Sequence, residues 1–428
     1  MLGRQLEDLV EIRRVEPFYR CFFEEDSSWV DISRNSELMK LQIDRLEEDA
    51  WGGYQRYMDI ASSFLNFGLP NVIEERWDST HLIPFIRACI QAFPLLSHDA
   101  MLRTLFNSPK LRAMLSFQDL YIGLSPSEAP AVFSLLQALE FDQGIYYPVG
   151  GFTQITSALE RIATESGVNI HREYTVQDLV CSKSTKEIES MVVVNRYGKQ
   201  EVTAADVFII NQDAPAAESS MVPPEYSDKR IIESRPSCGV VSLSFGFNAT
   251  LSPLQHHNVF FSSEYERSWD AVSNPEHGAF DPSTFNFYVH CPSRTDQSCC
   301  PVGHEAITVL VPVPPLSKSG SQKLDLQSIR HAVLSRLQSI PGMPHDIESS
   351  ITVEKIREPS LWSREYGLFR GSAFGLAHSL NQLSFLRPRL KHPHLSNVYR
   401  VGASVRPGNG VPLVMISARL VSDLVLKR

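Results

Sequence analysis

Cysteine is scarce in this chain: seven in 428 residues, an odd number with no paired spacing. No C-x-x-C occurs, so the usual zinc and dithiol patterns are excluded. Cys299 and Cys300 are adjacent and poorly placed to bridge each other, and a reducing, intracellular compartment is the simplest reading. No apolar run approaches the roughly 18 residues of a membrane-spanning helix. No signal peptide pattern opens the chain. Neither absence excludes association with one leaflet. Blocks of lysine and arginine are also missing, and the formal net charge is −9, which argues against a nucleic-acid surface. Heptads and internal repeats are absent. Asn248-Ala249-Thr250 fits a glycosylation triplet, but such triplets arise often by chance and are discounted without a secretory signal. No Ser/His/Asp set, metal-ligand cluster or carboxylate pair stands out. The dinucleotide fingerprint G-x-G-x-x-G occurs nowhere.

What is present is an ordinary globular composition, 43% hydrophobic and 21% charged. The length suits two or three domains. Met1 to Val10 reads as a helix. The run Glu16 to Phe23 reads as a strand, with Trp29 to Ile32 as its hairpin partner. Residues 37–66 carry helical spacing, with Met39, Ile43, Leu46 and Ala50 on one face. Residues 80–140 are apolar and helical, broken at Pro84, Pro94, Pro109, Pro126 and Pro130. A small bundle is the plainer reading of that stretch, a helical lid or membrane-docking surface the sharper one.

Residues 144–215 look like α/β. Tyr146 to Gly151 is a loop, and Phe152 to Ser166 is an amphipathic helix stopped by Gly167. Val168 to Ile170, Thr175 to Val180, Ile188 to Val194 and the stretch around Val202 read as strands. Asp206 to Asn211 reads as a buried one. Residues 238–250, 257–262, 284–291 and 306–313 are rich in β-branched and aromatic residues and suggest an antiparallel sheet. Residues 325–340 are helical, and 314–323 and 341–347 read as linkers. The alternation predicts α/β plus α+β, in two domains interleaved along the chain with one sheet shared between distant segments.

The densest signal lies near the C-terminus. The strand Val398 to Val401 runs into Gly402-Ala403-Ser404 and then Pro407-Gly408-Asn409-Gly410-Val411-Pro412, and an amphipathic helix follows. Glycines at a strand-to-helix junction let backbone amides approach a ligand, and a helix N-terminus favours electron-rich groups. Standing alone, the stretch would more often be a plain turn.

This segment resembles the flavin-contacting motif V-G-A-(S/G)-T-H-P-G-x-G-(I/V)-P of carotenoid desaturases of the bacterial and fungal phytoene desaturase type. Val405 and Arg406 replace the usual Thr-His. Four further segments resemble the family in the same order. They are Leu111 to Phe117 with Tyr121 to Pro126, and Ala131 to Glu140 with Gly144 to Phe152. The others are Asp206 to Asp213, and Gly371 to Leu376 with Phe385 to Pro388. The resemblance covers about residues 15–428 and implies a Rossmann-like flavoprotein fold of the amine oxidase type. It implies an incomplete FAD-binding domain (1–15, 140–215, 370–428), a substrate domain (16–60, 235–369) and a helical lid or membrane-docking subdomain (61–139).

The implied activity is insertion of conjugated double bonds into a C40 carotenoid precursor, phytoene, by hydride transfer to FAD. A quinone or oxygen would reoxidise the flavin, and the enzyme would dock on a membrane surface; a homo-oligomer is left open. By resemblance, Gly150, Gly151, Asn211, Asp213, Gly402, Ala403, Ser404, Pro407, Gly408, Gly410, Val411 and Pro412 would hold FAD. Arg112 and Asp270 would serve catalysis, though Pro109 stands where the family often has an acid three residues before the arginine. Phe117, Tyr121, Tyr146, Tyr147, Phe285, Phe287 and Tyr288 would suit a polyene tunnel, although such aromatics are more simply core. The family's opening βαβ unit is not found, so the chain reads as a truncated member whose own activity is open. The alternatives are an FAD oxidoreductase on another isoprenoid (a C30 desaturase, carotene isomerase or retinol saturase) or a non-catalytic apolar-ligand or scaffold paralogue.

Overall fold

Strands from the first thirty residues find partners more than a hundred residues away. A computed structural model describes residues 5–68, 97–182, 184–273, 280–320 and 324–427. β1 (Ile12–Arg14), β2 (Tyr19–Phe23) and β3 (Ser28–Ile32) lead into α1 (Ser36–Leu46) and α2 (Trp51–Gly68). Then come α3 (His98–Leu105), α4 (Pro109–Ser116), 3-10 turns over Phe117–Ile122 and Ala131–Ser134, and α5 (Leu135–Gln143). Next are β4 (Tyr146–Pro148), α6 (Thr153–Glu165), β5 (Tyr174–Cys181), β6 (Ile188–Asn195), β7 (Gln200–Ala204), β8 (Phe208–Ile210) and α7 (Ala214–Ser220). β9 (Gly239–Phe247), β10 (His257–Phe261), β11 (Phe287–His290), β12 (Glu305–Val313), α8 (Leu326–Gln338) and β13 (Ile351–Arg357) follow. The last elements used below are α9 (Pro359–Tyr366), β14 (Val398–Arg400) and α10 (Val411–Leu426).

Local chemistry sets many of these boundaries. Asn35 caps α1 by accepting the amides of Glu37 and Leu38, and Ser97 caps α3 through Ala100. Ser108 caps α4 through Leu111, with Pro109 in the first turn, where its missing N–H costs nothing. Helix α6 stops at Gly167 (φ 84°): the Val168 amide reaches Ala163 O and the Gly167 amide reaches Thr164 O.

The main sheet has seven strands in the order β13-β9-β12-β11-β10-β2-β3, antiparallel except for the parallel pair β10–β2. Alternation along each strand gives it two apolar faces. Phe22 and Phe260 pack with Val241, Leu243 and the α8 residues Ile329, Val333 and Leu337. Cys21, Phe23, Val259 and Phe261 turn the other way, onto Met39, Tyr57, Leu102 and Leu111 of the helices. Each aromatic ring so buried contributes about 1.5–3 kcal/mol. Three smaller pairings complete the layout: β1–β4, the meander β5-β6-β7, and the parallel pair β8–β14.

Most expected elements are present, with three differences. Of the expected N-terminal helix, the described residues show a 3-10 turn at Leu6–Asp8. Tyr146 to Pro148 is a strand rather than loop, because β1 lies against it. Val168 and Ile170 form no strand; they follow the Gly167 stop and stay exposed. The helical expectation for residues 69–96 falls outside the described residues. Among those described, no helix is long and apolar enough to cross a membrane.

Candidate functional site

The parallel neighbours β8 and β14 each end in a turn that opens a helix, α7 and α10. Crevices outside the carboxyl ends of parallel strands are where such folds place ligands. The two turns are tied side by side. Gly402 has φ 106°, and a Cβ there would stand 2.6 Å from Asn211 Oδ1. The buried Ser404 hydroxyl accepts the Ala214 amide at 2.8 Å. Asp213 Oδ2 accepts the Phe369 amide at 2.8 Å. Burial raises the Asp213 carboxyl above its ordinary range, while Ser404, the Phe369 amide and the charge of Arg387 pull it back in part. Gly410 (φ 97°) precedes α10 without a side-chain cap, so the first amides of that helix have no capping partner.

The turn is held from beneath by Arg387, 1% exposed and the largest fully buried side chain described. Its guanidinium donates to Ala403 O at 2.9 Å and, at 3.4 Å, to carbonyl oxygens of Val405, Leu376 and Ala377. Burial lowers its pKa to about 10, so the cation persists at neutral pH. His378 lies beside it. Its Nδ1 faces Ile122 O at 3.4 Å, its Nε2 has no hydrogen-bond partner, and a Cβ on Gly408 would come 2.5 Å from that Nε2. Burial, then Arg387, holds this imidazole neutral. Val405 is core, 1% exposed, and Arg406 donates to the carbonyls of Arg387 and Phe385. Those contacts are what these two residues, in place of Thr-His, do for the turn.

A second glycine turn lies at Gly150-Gly151, both at φ 85°. The Gly150 amide donates to Asp296 Oδ2 at 2.7 Å. Tyr147, buried, packs edge-on to His256 at 4.8 Å between ring centroids, and His256 Nε2 meets His290 Nε2 at 3.1 Å. His257 Nδ1 reaches the Tyr288 hydroxyl at 2.5 Å. Burial pushes His256 down to about 3 and His290 to about 4, so these imidazoles are uncharged at neutral pH. Asn409, inside the C-terminal turn, donates from Nδ2 to the Tyr121 carbonyl.

The structure thus brings Asn211, Asp213, Gly402, Ala403, Ser404, Gly408 and Gly410 around two adjoining turns, with Pro407, Val411 and Pro412 in the same stretch. It distributes the other expected residues. Arg112 donates to the carbonyls of Phe106 and Asn107, and Asp270 is exposed. Phe117 and Tyr121 pack edge to face at 6.3 Å. Phe285 and Phe287 belong to the α8 side of the sheet, whereas Tyr288 packs on the opposite side. Tyr146 is 48% exposed. Sequence reading named the Phe385 to Pro388 motif but gave Arg387 no role, and it passed over His378, Asp296 and the three histidines. A basic residue inside an apolar Leu-Arg-Pro stretch was the available signal for the first.

What the arrangement offers a flavin's electron-rich edge is the uncapped amides at the start of α10, beside a turn floored by a buried cation, while the spaces next to Gly402 and Gly408 are filled by the Asn211 and His378 side chains. A model of the family described as flavin containing amine oxidoreductase matches residues 88–426. The chain is 32% identical to the zeta-carotene-forming phytoene desaturase of Myxococcus xanthus, over 99% of this chain and 81% of that protein. It is 30% identical to the phytoene desaturase of Neurospora crassa, over 100% and 73%. It is 28% identical to a 4,4'-diapophytoene desaturase of a Methylomonas species, over 99% and 82%. Among solved structures, an oxidoreductase from Methanosarcina mazei superposes with TM-score 0.58 at 15% identity, over 97% of this chain and 82% of that one. A putrescine oxidase variant gives 0.58 at 12%, over 99% and 84%. These two establish likeness of fold.

Proposed function

Because the chain belongs to the flavin containing amine oxidoreductase family, and within it to the carotenoid desaturases, we propose that it uses FAD to introduce conjugated double bonds into phytoene, a C40 carotenoid precursor. The observation that carries the reading is the paired turn at the ends of β8 and β14, where Gly402 lies so close to Asn211 that no side chain fits. When bound, the flavin supplies the acceptor for a hydride leaving an allylic carbon. The chain's own part is to hold and to exclude. Gly150, Gly151, Asn211, Asp213, Gly402, Ala403, Ser404 and the stretch Pro407, Gly408, Gly410, Val411 and Pro412 would hold the cofactor.

A hydrocarbon offers nothing to hydrogen-bond, so its site should be apolar and aromatic. Phe117, Tyr121, Tyr147 and Tyr288 meet that need, with Tyr146 at the exposed edge. Phe285 and Phe287 serve the sheet core instead. Arg112 is committed to main-chain carbonyls and Asp270 faces solvent, so neither receives the proton step in this reading. The same reading divides the chain into a flavin-binding domain (1–15, 140–215, 370–428), a substrate domain (16–60, 235–369) and a helical subdomain (61–139). The β1–β4 and β8–β14 pairings support that division. A substrate dissolved in lipid requires contact with a bilayer surface, and a quinone or oxygen would take the electrons onward.

The test is to purify the chain with added FAD, record its visible flavin absorption, and incubate it with phytoene liposomes and a quinone. The expected result is a flavin band and more conjugated, coloured products. Flavin-bound protein that leaves both phytoene and its C30 analogue unchanged would sink the reading. Turnover of the C30 compound alone would move the substrate assignment to the class named for the Methylomonas relative.

A further inference from the structure

Charge is not spread evenly along this chain. Its net charge is −9, yet between Tyr366 and Ser422 there is no aspartate or glutamate, against six arginines and one lysine. That stretch includes β14, the C-terminal turn and most of α10. Two of its cations are committed inside: Arg387 floors the turn, and Arg400 pairs with the buried Glu218. Arg389 and Lys391 are exposed, and Arg406 is half-buried.

These three lie together. Arg406 donates from its side chain to the carbonyls of Arg387 and Phe385 and from its amide to Pro388 O, so it lies against the segment that carries Arg389. Lys391 follows, bridged to Tyr399, with its ammonium 6.0 Å from the centre of that ring. Burial, then the charge of Arg389, lowers the Arg406 pKa from its ordinary value. Nearby acids are already paired, Glu218 with Arg400 and Glu128 with Arg235.

Apolar side chains stand in the same loop. Two 3-10 turns, Leu380–Gln382 and Ser384–Leu386, leave Leu380, Phe385 and Leu386 exposed. The chain beneath them is pinned: the Gln382 side chain is hydrogen-bonded to the main chain of Arg235 and Ala377. Large apolar side chains on turn tips beside guanidinium and ammonium groups match a phospholipid surface. The hydrocarbon enters the acyl boundary while the cations lie at the level of the phosphates.

We propose that this loop docks the protein on a bilayer, and that Arg389, Lys391 and Arg406 make it select anionic over neutral phospholipid. The use of such docking, delivery of a lipid-soluble substrate, rests on the desaturase reading above; the charge argument does not. A chain of net charge −9 is on average repelled by an anionic surface. Preference for one therefore requires a local concentration of the opposite sign, and residues 366–422 supply it. An acidic protein surface would satisfy the cations and leave the three apolar side chains in water, so lipid is the better match. Docked this way, the turn that contains Arg406 lies on the membrane side of the molecule.

The test is co-sedimentation of the flavin-loaded protein with vesicles of phosphatidylcholine alone or with about 30% phosphatidylglycerol added. Each basic side chain near an anionic surface contributes roughly fivefold in binding, so the anionic vesicles should bind about tenfold or more tightly at low salt. That advantage should shrink as the screening length falls from about 30 Å at 0.01 M salt to about 10 Å at 0.1 M. Arg389→Glu with Lys391→Glu should abolish it, with flavin absorption and binding to neutral vesicles little changed. The control is Arg196→Glu with Lys199→Glu, the same change in net charge on the exposed β6–β7 hairpin, which should keep the advantage. If the reversal misfolds, Arg389→Gln with Lys391→Gln and the salt series on wild type still decide. Equal or weaker binding to anionic vesicles overturns the proposal, as does an advantage that survives the reversal or is lost equally in the control. A reversal that splits a wild-type dimer in sedimentation velocity, and leaves vesicle binding alone, assigns the loop to a second copy instead and also overturns it. No turnover enters these measurements. Anionic preference without any desaturation overturns the desaturase reading and supports this one, whereas desaturation with no lipid preference does the reverse.

Discussion

At Gly402 the backbone has a positive φ and no room for a methyl group. Gly402→Ala combines left-handed strain with a clash on Asn211, each of order 1–3 kcal/mol. Its flavin-to-protein absorbance ratio should fall about tenfold or more at limiting FAD, while circular dichroism stays near wild type. Arg387→Lys tests the floor of the same turn. An ammonium cannot reproduce the planar fork that serves four carbonyls, so a loss of about 2 kcal/mol is expected in urea unfolding. Glu140 of α5, whose Oε1 accepts the Tyr19 hydroxyl at 2.8 Å, gives a pH-dependent prediction. Its folded pKa is raised, so the folded state holds the proton more tightly than the unfolded chain. Stability is therefore lost as pH rises from about 4.5 to about 7, on the order of 3 kcal/mol for this group. Glu140→Gln should gain melting temperature relative to wild type at pH 8 and show no such gain at pH 5. The glycine turn was legible in the sequence because strand, glycines and helix are contiguous. The Tyr19–Glu140 pair was not: its members stand 121 residues apart, and nothing local marks either as polar core.

Among elements, β10 shows how the sheet is keyed. Phe260 is stacked between Phe22 at 4.7 Å and Phe287 at 4.4 Å, one ring from each neighbouring strand. Phe260→Ala leaves a cavity between three strands and should cost about 3–5 kcal/mol, read as a lower urea midpoint. The strands themselves were readable from period-two alternation and β-branched content, since both determine which face is buried. Pairings were not. Tyr146 to Pro148 reads as loop until β1 is seen beside it, and the parallel β2–β10 contact has no local signature. Val168 to Ile170 misled in the opposite direction, being apolar yet left outside by the turn at Gly167. Pro109 looked like a missing acid and is, locally, the proline that starts α4.

For the whole molecule, exposed apolar side chains lie near the candidate site. Leu380 and Leu386 are each 53% exposed and Phe385 is 38% exposed, and Arg406 of the C-terminal turn holds the Phe385 carbonyl. The protein should therefore co-sediment with neutral liposomes, and the double change Phe385→Ser, Leu386→Ser should reduce the bound fraction several-fold without altering flavin absorption. The mixed character of the fold, helices with parallel and antiparallel strands, could be read in advance because helical and strand periodicities alternate along the chain. Which distant segments join could not. Those joins also impose an order in time. The Ser263 amide meets Glu24 across 239 residues, and the Ala214 amide meets Ser404 across 190. During synthesis the β2–β3 hairpin must wait, with the rings of Phe22 and Phe23 uncovered, until β10 has been made. The paired turn of β8 and β14 cannot exist before residue 404 has been added. Contacts of such long range make folding slow and the half-made chain prone to aggregation. A ribosome stalled in the middle of this message would release a protein with neither a complete sheet nor the paired turn.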